Sequence, residues 1–211
     1  MPLTLELAQT VAIGAFNPYV ITPEWLARFG IHPKNEEVKV WLVALGEGAA
    51  FELDGVQWQV DNRRLCVASS DRNIDCGQKV SQVLELLPHT PVQALGHNFH
   101  FSASKEEWGS RPAPMLGSQG FSGFSDVEQV RWVGAFHRGE TRIEATLAYE
   151  VDAVAVLLNH HRTMDSERAR QASTPQEQIA QAREASEKFR EDFEVSRELL
   201  RRFFAMEFPD E

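Results

Sequence analysis

Apolar and polar residues alternate along much of the first 70 residues, which is the pattern of half-buried β-strands. The runs lie in 6–16, 38–45, 49–55, 56–62 and 64–70. Gly, Asn and Asp residues separate the last four runs, and Asp54-Gly55 is a strong hairpin signal. We therefore predict an antiparallel meander, preceded by a short helix that Thr22 caps, Pro23 begins and Gly30 ends.

The spacing of apolar residues changes to that of a helix after the meander. A stripe at i, i+3, i+4 and i+7 predicts a helix over 77–87 that covers a sheet. Its members are Val80, Val83, Leu84 and Leu87. Strand patterns then return in 95–101, 130–137, 141–150 and 152–162. The second half of the chain thus repeats the order of strands followed by a helix.

The C-terminal region predicts one long helix. Thr174 and Glu177 form a capping box, with Pro175 at the first helical position. The helix is predicted to run to about Met206, which would make it about 45 to 50 Å long. Its docked stripe contains Phe189, Phe193, Leu200 and Phe203.

These elements predict an α+β protein with antiparallel sheets that are each covered by a helix. The outline resembles helix-grip or TBP-like folds, in which a long helix lies across a curved antiparallel sheet. We expect a β-rich first half over 1–108, with its helix at 77–87, and a second half over 126–211. The Gly/Ser/Pro-rich segment 109–125 is predicted to be a linker or long loop between them. The two halves are either separate domains or parts of one continuous domain.

Periodicity also predicts which side chains form the core. The expected core residues are Val83, Leu87, Leu95, Phe99, Trp132, Leu147, Leu157, Phe193 and Leu200.

Composition narrows the class of protein. The 211 residues are 43% hydrophobic and 25% charged, as in globular proteins, and no apolar run is long enough for a membrane span. The net charge of −10 argues against general nucleic-acid binding. Cys66 and Cys76 have no disulfide or metal-ligand spacing, and the first residues do not read as a secretory signal, so we expect a cytoplasmic protein.

The histidines are the strongest candidates for chemistry. His100, His160 and Asp165 would supply the nitrogen and oxygen donors of a zinc or iron site if they met at one end of the sheet. Possible supporting residues are His97, Asn98, Asn159 and His161. The simpler interpretation makes His97 a hydrogen-bonded core residue, because it shares a strand face with Leu95 and Phe99 while Asn98 and His100 point the other way.

Two functions follow from these patterns. Because no catalytic motif is evident, we favour a non-catalytic binding or assembly module without a cofactor, acting as a subunit of a larger cytoplasmic complex. Its partner would be another protein or a second copy, joined through a C-terminal helix seam of Ile179, Ala182 and Ser186. The alternative is a metal-dependent hydrolase or small-ligand-binding protein that uses the strand histidines.

Overall fold

The chain's structure, a computed structural model, describes residues 3–33, 38–41, 48–104, 130–149, 153–172 and 174–204. The strands in these ranges are β1 (Thr4–Gly14), β2 (Val38–Trp41), β3 (Gly48–Leu53), β4 (Val56–Asp61), β5 (Arg64–Ser69), β6 (Val92–Ser104), β7 (Val130–Arg138), β8 (Thr141–Tyr149) and β9 (Ala153–Thr163). The helices are α1 (Pro23–Arg28), α2 (Cys76–Leu86), α3 (Ser166–Gln171), α4 (Pro175–Ser186) and α5 (Phe189–Phe204).

The described strands form one antiparallel sheet in the order β2-β3-β4-β5-β1-β6-β9-β8-β7. The α+β prediction is confirmed. Instead of forming two separate sheets, the strands of both predicted halves join through the pairing of β6 with β9. The division into two domains stays a prediction, as does the helix-grip or TBP-like outline. Segment 109–125 lies outside the described residues.

Local signals placed the turns and helix starts correctly. Asp54 and Gly55 both have positive φ, 48° and 70°, as the tight hairpin between β3 and β4 requires. The Thr22 side chain accepts a hydrogen bond from the Trp25 backbone N–H and so caps α1. At α4, the capping box of Thr174 is complete. These predictions are confirmed.

One face of the sheet carries the helices and the core. Helix α2 packs on β1 and β5, whereas α4 and α5 pack on β6. Most of the predicted core residues are buried there, namely Val83, Leu95, Phe99, Leu147, Phe193 and Leu200. Leu87 and Trp132 are partly buried against the same cluster. Leu157 was predicted wrongly, because it lies on the opposite face of β9 and is only half-buried.

The predicted single C-terminal helix is broken into α4 and α5 at Glu187 and Lys188. The backbone N–H of Lys188 donates a hydrogen bond to the carbonyl of Ala185, three residues earlier. This is the bond of a 3₁₀ turn, which separates α4 from α5. The break lets α4 lie on α2 and β6 while α5 follows β6. No helix in the described part of the chain is long and apolar enough to span a membrane.

Gly77, in the first turn of α2, lies in close contact with the α4–α5 junction. A Cβ at this position would lie 2.0 Å from the Ser186 carbonyl oxygen and 2.5 Å from Phe189 Cβ. We expect Gly77→Ala to lower the free energy of unfolding by about 1 to 3 kcal/mol, because the backbones must separate. Urea denaturation measures this, and an unchanged stability would contradict the packing.

Candidate functional site

A buried carboxylate, that of Asp192 in the first turn of α5, ties this helix to two strands. Its side chain accepts a hydrogen bond of 2.7 Å from His97 Nδ1 on β6. Arg162 on β9 donates two more, of 2.5 and 2.7 Å, one to each carboxylate oxygen. Asp192 is 3% exposed. The ion pair is therefore bidentate and almost wholly removed from water.

A second histidine connects the same carboxylate to a serine. His160 Nε2 lies 2.8 Å from Ser196 Oγ, and both residues are fully buried. His160 Nδ1 lies 3.5 Å from Asp192 Oδ1, which is an electrostatic contact rather than a well-formed hydrogen bond. We refer to Asp192, His97, His160, Arg162 and Ser196 as the Asp192 network.

Strand register and helix periodicity bring this network together. His97 and His160 are direct partners across β6 and β9, so their side chains share the helix-covered face. Arg162 follows two residues later on the same face of β9. Asp192 and Ser196 are four residues apart and lie on one face of α5, above the two histidines.

Charge in the network is concentrated on Asp192 and Arg162. Burial alone would raise the pKa of the Asp192 carboxyl, but the hydrogen bonds from Arg162 and His97, together with the contact from His160, outweigh it and hold that pKa well below its usual range. Burial lowers the pKa of His97, and the bond to Asp192 only partly offsets this. His97 is therefore neutral near pH 7 and donates from Nδ1, leaving Nε2 buried without a hydrogen-bond partner among the described residues.

The order Ser196, His160, Asp192 is that of a nucleophile, a base and an orienting carboxylate. Its surroundings do not suit catalysis. Ser196 and His160 have no exposed surface, and Arg162 already neutralises Asp192. A substrate has no route to the serine while α5 is docked. The contacts instead hold α5 against β6 and β9.

The lowered pKa of His97 predicts that stability falls on acidification from pH 7 to 5. In that interval the unfolded chain binds a proton that the folded chain excludes, so stability begins to fall as the pH drops below about 6.5 and continues to fall towards the lowered pKa of the folded state. One such group contributes a slope of up to about 1.4 kcal/mol per pH unit. His97→Gln should remove its share of this slope, as measured by urea denaturation at several pH values. An exposed control, His89→Gln, should retain the slope, and equal slopes in both variants would exclude His97 as the source.

The structure does not bring together the predicted site of His100, His160 and Asp165. His160 faces the helices, whereas His100 points to the opposite face of the sheet, because the two differ in strand parity. Asp165 is exposed beyond the end of β9, and its carboxylate accepts a bond from the Glu167 backbone N–H. That trio was predicted wrongly. Among the described residues, no group of three His, Cys, Asp or Glu side chains is arranged to hold a metal ion.

The predicted supporting residues divide between the two faces. His97 is the hydrogen-bonded core histidine that its strand face indicated. Asn98 and Asn159 are partners across β6 and β9 on the other face, and His161 lies beside them, half-buried. None of these three belongs to the Asp192 network.

The predicted interface seam lies inside the chain. Ile179, Ala182 and Ser186 are 2%, 3% and 0% exposed, because α4 packs this stripe against α2 and β6. An interface through these three side chains is therefore a wrong prediction. They are not available to a second chain while α4 is docked.

A cavity of about 300 Å³ lies beside the network, where the ends of β8 and β9 meet α4 and α5. Its two cations already have acidic partners, since Arg162 bonds Asp192 and Lys188 lies 3.2 Å from Glu191. The lining also includes Glu140 and Glu184. The cavity thus has no unengaged basic side chain, among the residues described, with which to hold an anionic ligand.

Neither thiol is placed for chemistry. Burial raises the pKa of Cys66 to about 11 and that of Cys76 to about 12, so both remain protonated near neutral pH. Both cysteines are free and buried. Cys66 is a small filler within β5, as its strand position predicted.

Sequence reasoning missed three members of the network. Arg162 was not selected, although it follows the two histidines on β9. Asp192 and Ser196 carried a usable signal, because they occupy the apolar stripe of α5 between Phe189, Phe193 and Leu200. A polar residue at a core-facing helical position needs a buried partner.

The other face of the sheet is covered by no described helix. We call it the helix-free face, formed by the alternate strand residues that point away from the core. Its centre contains Gln9, Val11, Asn98, His100, Leu157 and Asn159, all half-buried. Burial lowers the pKa of His100, which keeps this imidazole uncharged near pH 7.

Several charges on the helix-free face are paired with neighbours on the face itself. Such pairs join Lys39 to Glu52, Arg64 to Asp61 and Arg142 to Glu144, at 3.3, 2.9 and 2.9 Å. The centre of the face is therefore rich in amides, aliphatic groups and small side chains, with little net charge.

No protein-family model matches the chain, and no curated protein is significantly similar to it.

Proposed function

We propose that the protein is a non-catalytic binding module that serves as a subunit of a larger cytoplasmic assembly, with the helix-free face as its contact surface. The supporting observation is that one whole face of a nine-stranded sheet has no helix on it in the described part of the chain. The groups that resemble catalytic residues are, by contrast, enclosed in the core.

The size of the helix-free face suits a protein partner. Nine strands about 4.8 Å apart span about 40 Å, and strands of nine residues extend about 30 Å. The face is thus on the order of 1,000 Å², against roughly 800 Å² that one partner contributes to a standard interface. Its side chains are largely uncharged or already ion-paired, which favours protein contacts over binding to phosphates.

The alternative functions receive less support. A metal-dependent hydrolase needs ligands that the described residues do not assemble. A small-ligand protein would have to use the cavity beside Arg162, where the described cations are already paired. Two free, buried thiols agree with a reducing compartment such as the cytoplasm. A homodimer remains a proposal, but it would have to use a surface other than the predicted seam.

Size-exclusion chromatography of the tagged chain in an extract of its native cell tests the proposal. We expect elution well above the 23.8 kDa of a single chain. Ile13→Glu and Ala155→Glu, at exposed positions on two central strands of the helix-free face, should return the chain to the size of one molecule. Arg201→Glu, exposed on α5, is the matched control.

Elution of the wild-type chain as a single molecule would overturn the subunit role. A large complex that persists in both face variants would assign the contact to another surface. Cell fractionation of the same tagged chain tests the cytoplasmic location.

A further inference from the structure

We propose that the cavity beside Arg162 binds a short aliphatic diamine, with one ammonium group held by Glu140 and the other by Glu184. The cavity, of about 300 Å³, lies on the helix-covered side of the sheet, between the ends of β8 and β9 and the helices α4 and α5. Its volume is at the lower end of the range for ligand pockets, which suits a ligand of few heavy atoms. The inference goes beyond the proposed contact surface, because the helix-free face lies on the other side of the sheet.

The floor of the cavity combines a polar group with apolar surface. Thr141 on β8 is 9% exposed, and it has the same strand parity as Ile143, so its side chain points to the helix-covered side. Its hydroxyl lines the cavity and has no hydrogen-bond partner among the described residues, although buried polar groups normally have one. Buried Ala185 and partly buried Met164 supply apolar surface. The floor thus offers an oxygen acceptor and a surface on which methylene groups pack.

The charges at the mouth of the cavity favour a cation. Glu140, in the turn between β7 and β8, and Glu184, on α4, are exposed members of the lining, and neither has an ion pair in the described part of the chain. Arg138, opposite Thr141 in the hairpin, makes no ion pair with Glu140 and is not part of the lining. The other lining charges cancel within the two ion pairs already described. The lining therefore keeps two negative charges, which repel an anion and attract ammonium groups.

A diamine matches this arrangement better than other cations. It carries one ammonium for each free carboxylate, and its methylene chain packs on Met164 and Ala185. Because an ammonium has three N–H donors, one of them also donates to the Thr141 hydroxyl. A lysine side chain from a partner protein has one ammonium and would leave one carboxylate without a counter-charge. A divalent metal ion needs several oxygen ligands in a fixed geometry, which no described group of carboxylates provides.

The test is an NMR titration of the full chain, labelled with ¹⁵N, with putrescine at up to millimolar concentration and low ionic strength. We expect saturable amide shifts concentrated in 140–142, 162–165 and 181–188. Butylamine, which has the same carbon chain and one ammonium, should bind about fivefold more weakly. Succinate, a dianion, and magnesium chloride at equal ionic strength should give no saturable shifts in these segments.

Substitutions at exposed positions make the test specific. Glu140→Gln and Glu184→Gln should each weaken putrescine binding about fivefold, as expected for an exposed ion pair. Glu24→Gln, at an exposed carboxylate of α1 outside the lining, should leave the affinity unchanged. Lys188→Gln should strengthen binding, because Glu191 then loses its partner and adds a third free carboxylate to the mouth. A gain of affinity cannot result from damage to the fold.

Equal binding of putrescine and butylamine, preference for succinate, the same shifts with magnesium chloride, or no saturable binding would each overturn the inference. Unchanged affinity in both glutamate variants would do so as well. Failure of this titration leaves the proposed contact surface standing, because chromatography of the face variants tests that surface separately.

Discussion

Asp192→Ala is expected to lower the free energy of unfolding by about 3 to 5 kcal/mol, measured by urea denaturation at pH 7. Removing the carboxylate leaves the Arg162 guanidinium, whose side chain is 15% exposed, without its bidentate partner. It also removes the acceptor for the His97 Nδ1–H, which then has no other described partner in the core. Both losses leave buried donors unsatisfied, which costs more than the ion pair itself contributes.

Glu191→Ala, at the exposed neighbour of Asp192, is the matched control and should change stability by less than about 1 kcal/mol. A double-mutant cycle with Arg162→Met isolates the pair. The double variant should be more stable than Asp192→Ala alone, because it no longer contains an unpaired buried cation. Equal losses for Asp192→Ala and Glu191→Ala would show that the network does not hold α5 in place.

Phe193→Ala is expected to cost about 3 to 5 kcal/mol of unfolding free energy. The Phe193 ring packs between α5 and β6, with centroid distances of 5.3 Å to Phe99 and 6.2 Å to Phe101. Truncation leaves a cavity that two rings on a strand of the sheet cannot fill without moving the backbone. Chemical denaturation followed by circular dichroism provides the measurement.

Phe29→Ala is the matched control for this change. Phe29, the residue that ends α1, is 46% exposed, and its ring contacts that of Trp25 in α1 at a centroid distance of 5.0 Å. Its truncation should cost under about 1 kcal/mol, as expected for a substitution away from the core. A loss under 1 kcal/mol for Phe193→Ala would mean that α5 is not docked through this ring.

Both expected losses of unfolding free energy concern α5. They bear on the proposed function because α5 packs on one face of the sheet and does not cover the helix-free face. The Asp192 network and the packed rings of Phe99, Phe101, Phe189 and Phe193 all lie on the helix-covered side of the sheet. Alternate residues of the same strand, among them Asn98 and His100, form the centre of the helix-free face. A variant that undocks α5 would therefore disturb the proposed binding only through loss of the fold.

The candidate site was predictable only in part. Strand parity indicated that His97 belongs to the core and that His100 does not share its face, and both statements hold in the structure. The partner of His97 was not predictable from local rules, because Asp192 lies 95 residues away along the chain. No spacing motif relates two residues at that distance. The pairing results from the packing of α5 on β6.

The sequence by itself determined the elements whose signals act within a few residues. The Asp54-Gly55 turn, the Thr22 cap and the Thr174 capping box depend on backbone dihedrals and on hydrogen bonds over three positions. Only the tertiary structure decided that β1 pairs with β6, that the C-terminal helix breaks at Glu187, and that β7 is left at an edge. These features depend on contacts between segments far apart in the chain. The packing that forms is the one of lowest free energy among the alternatives, and residue patterns within one segment do not contain that comparison.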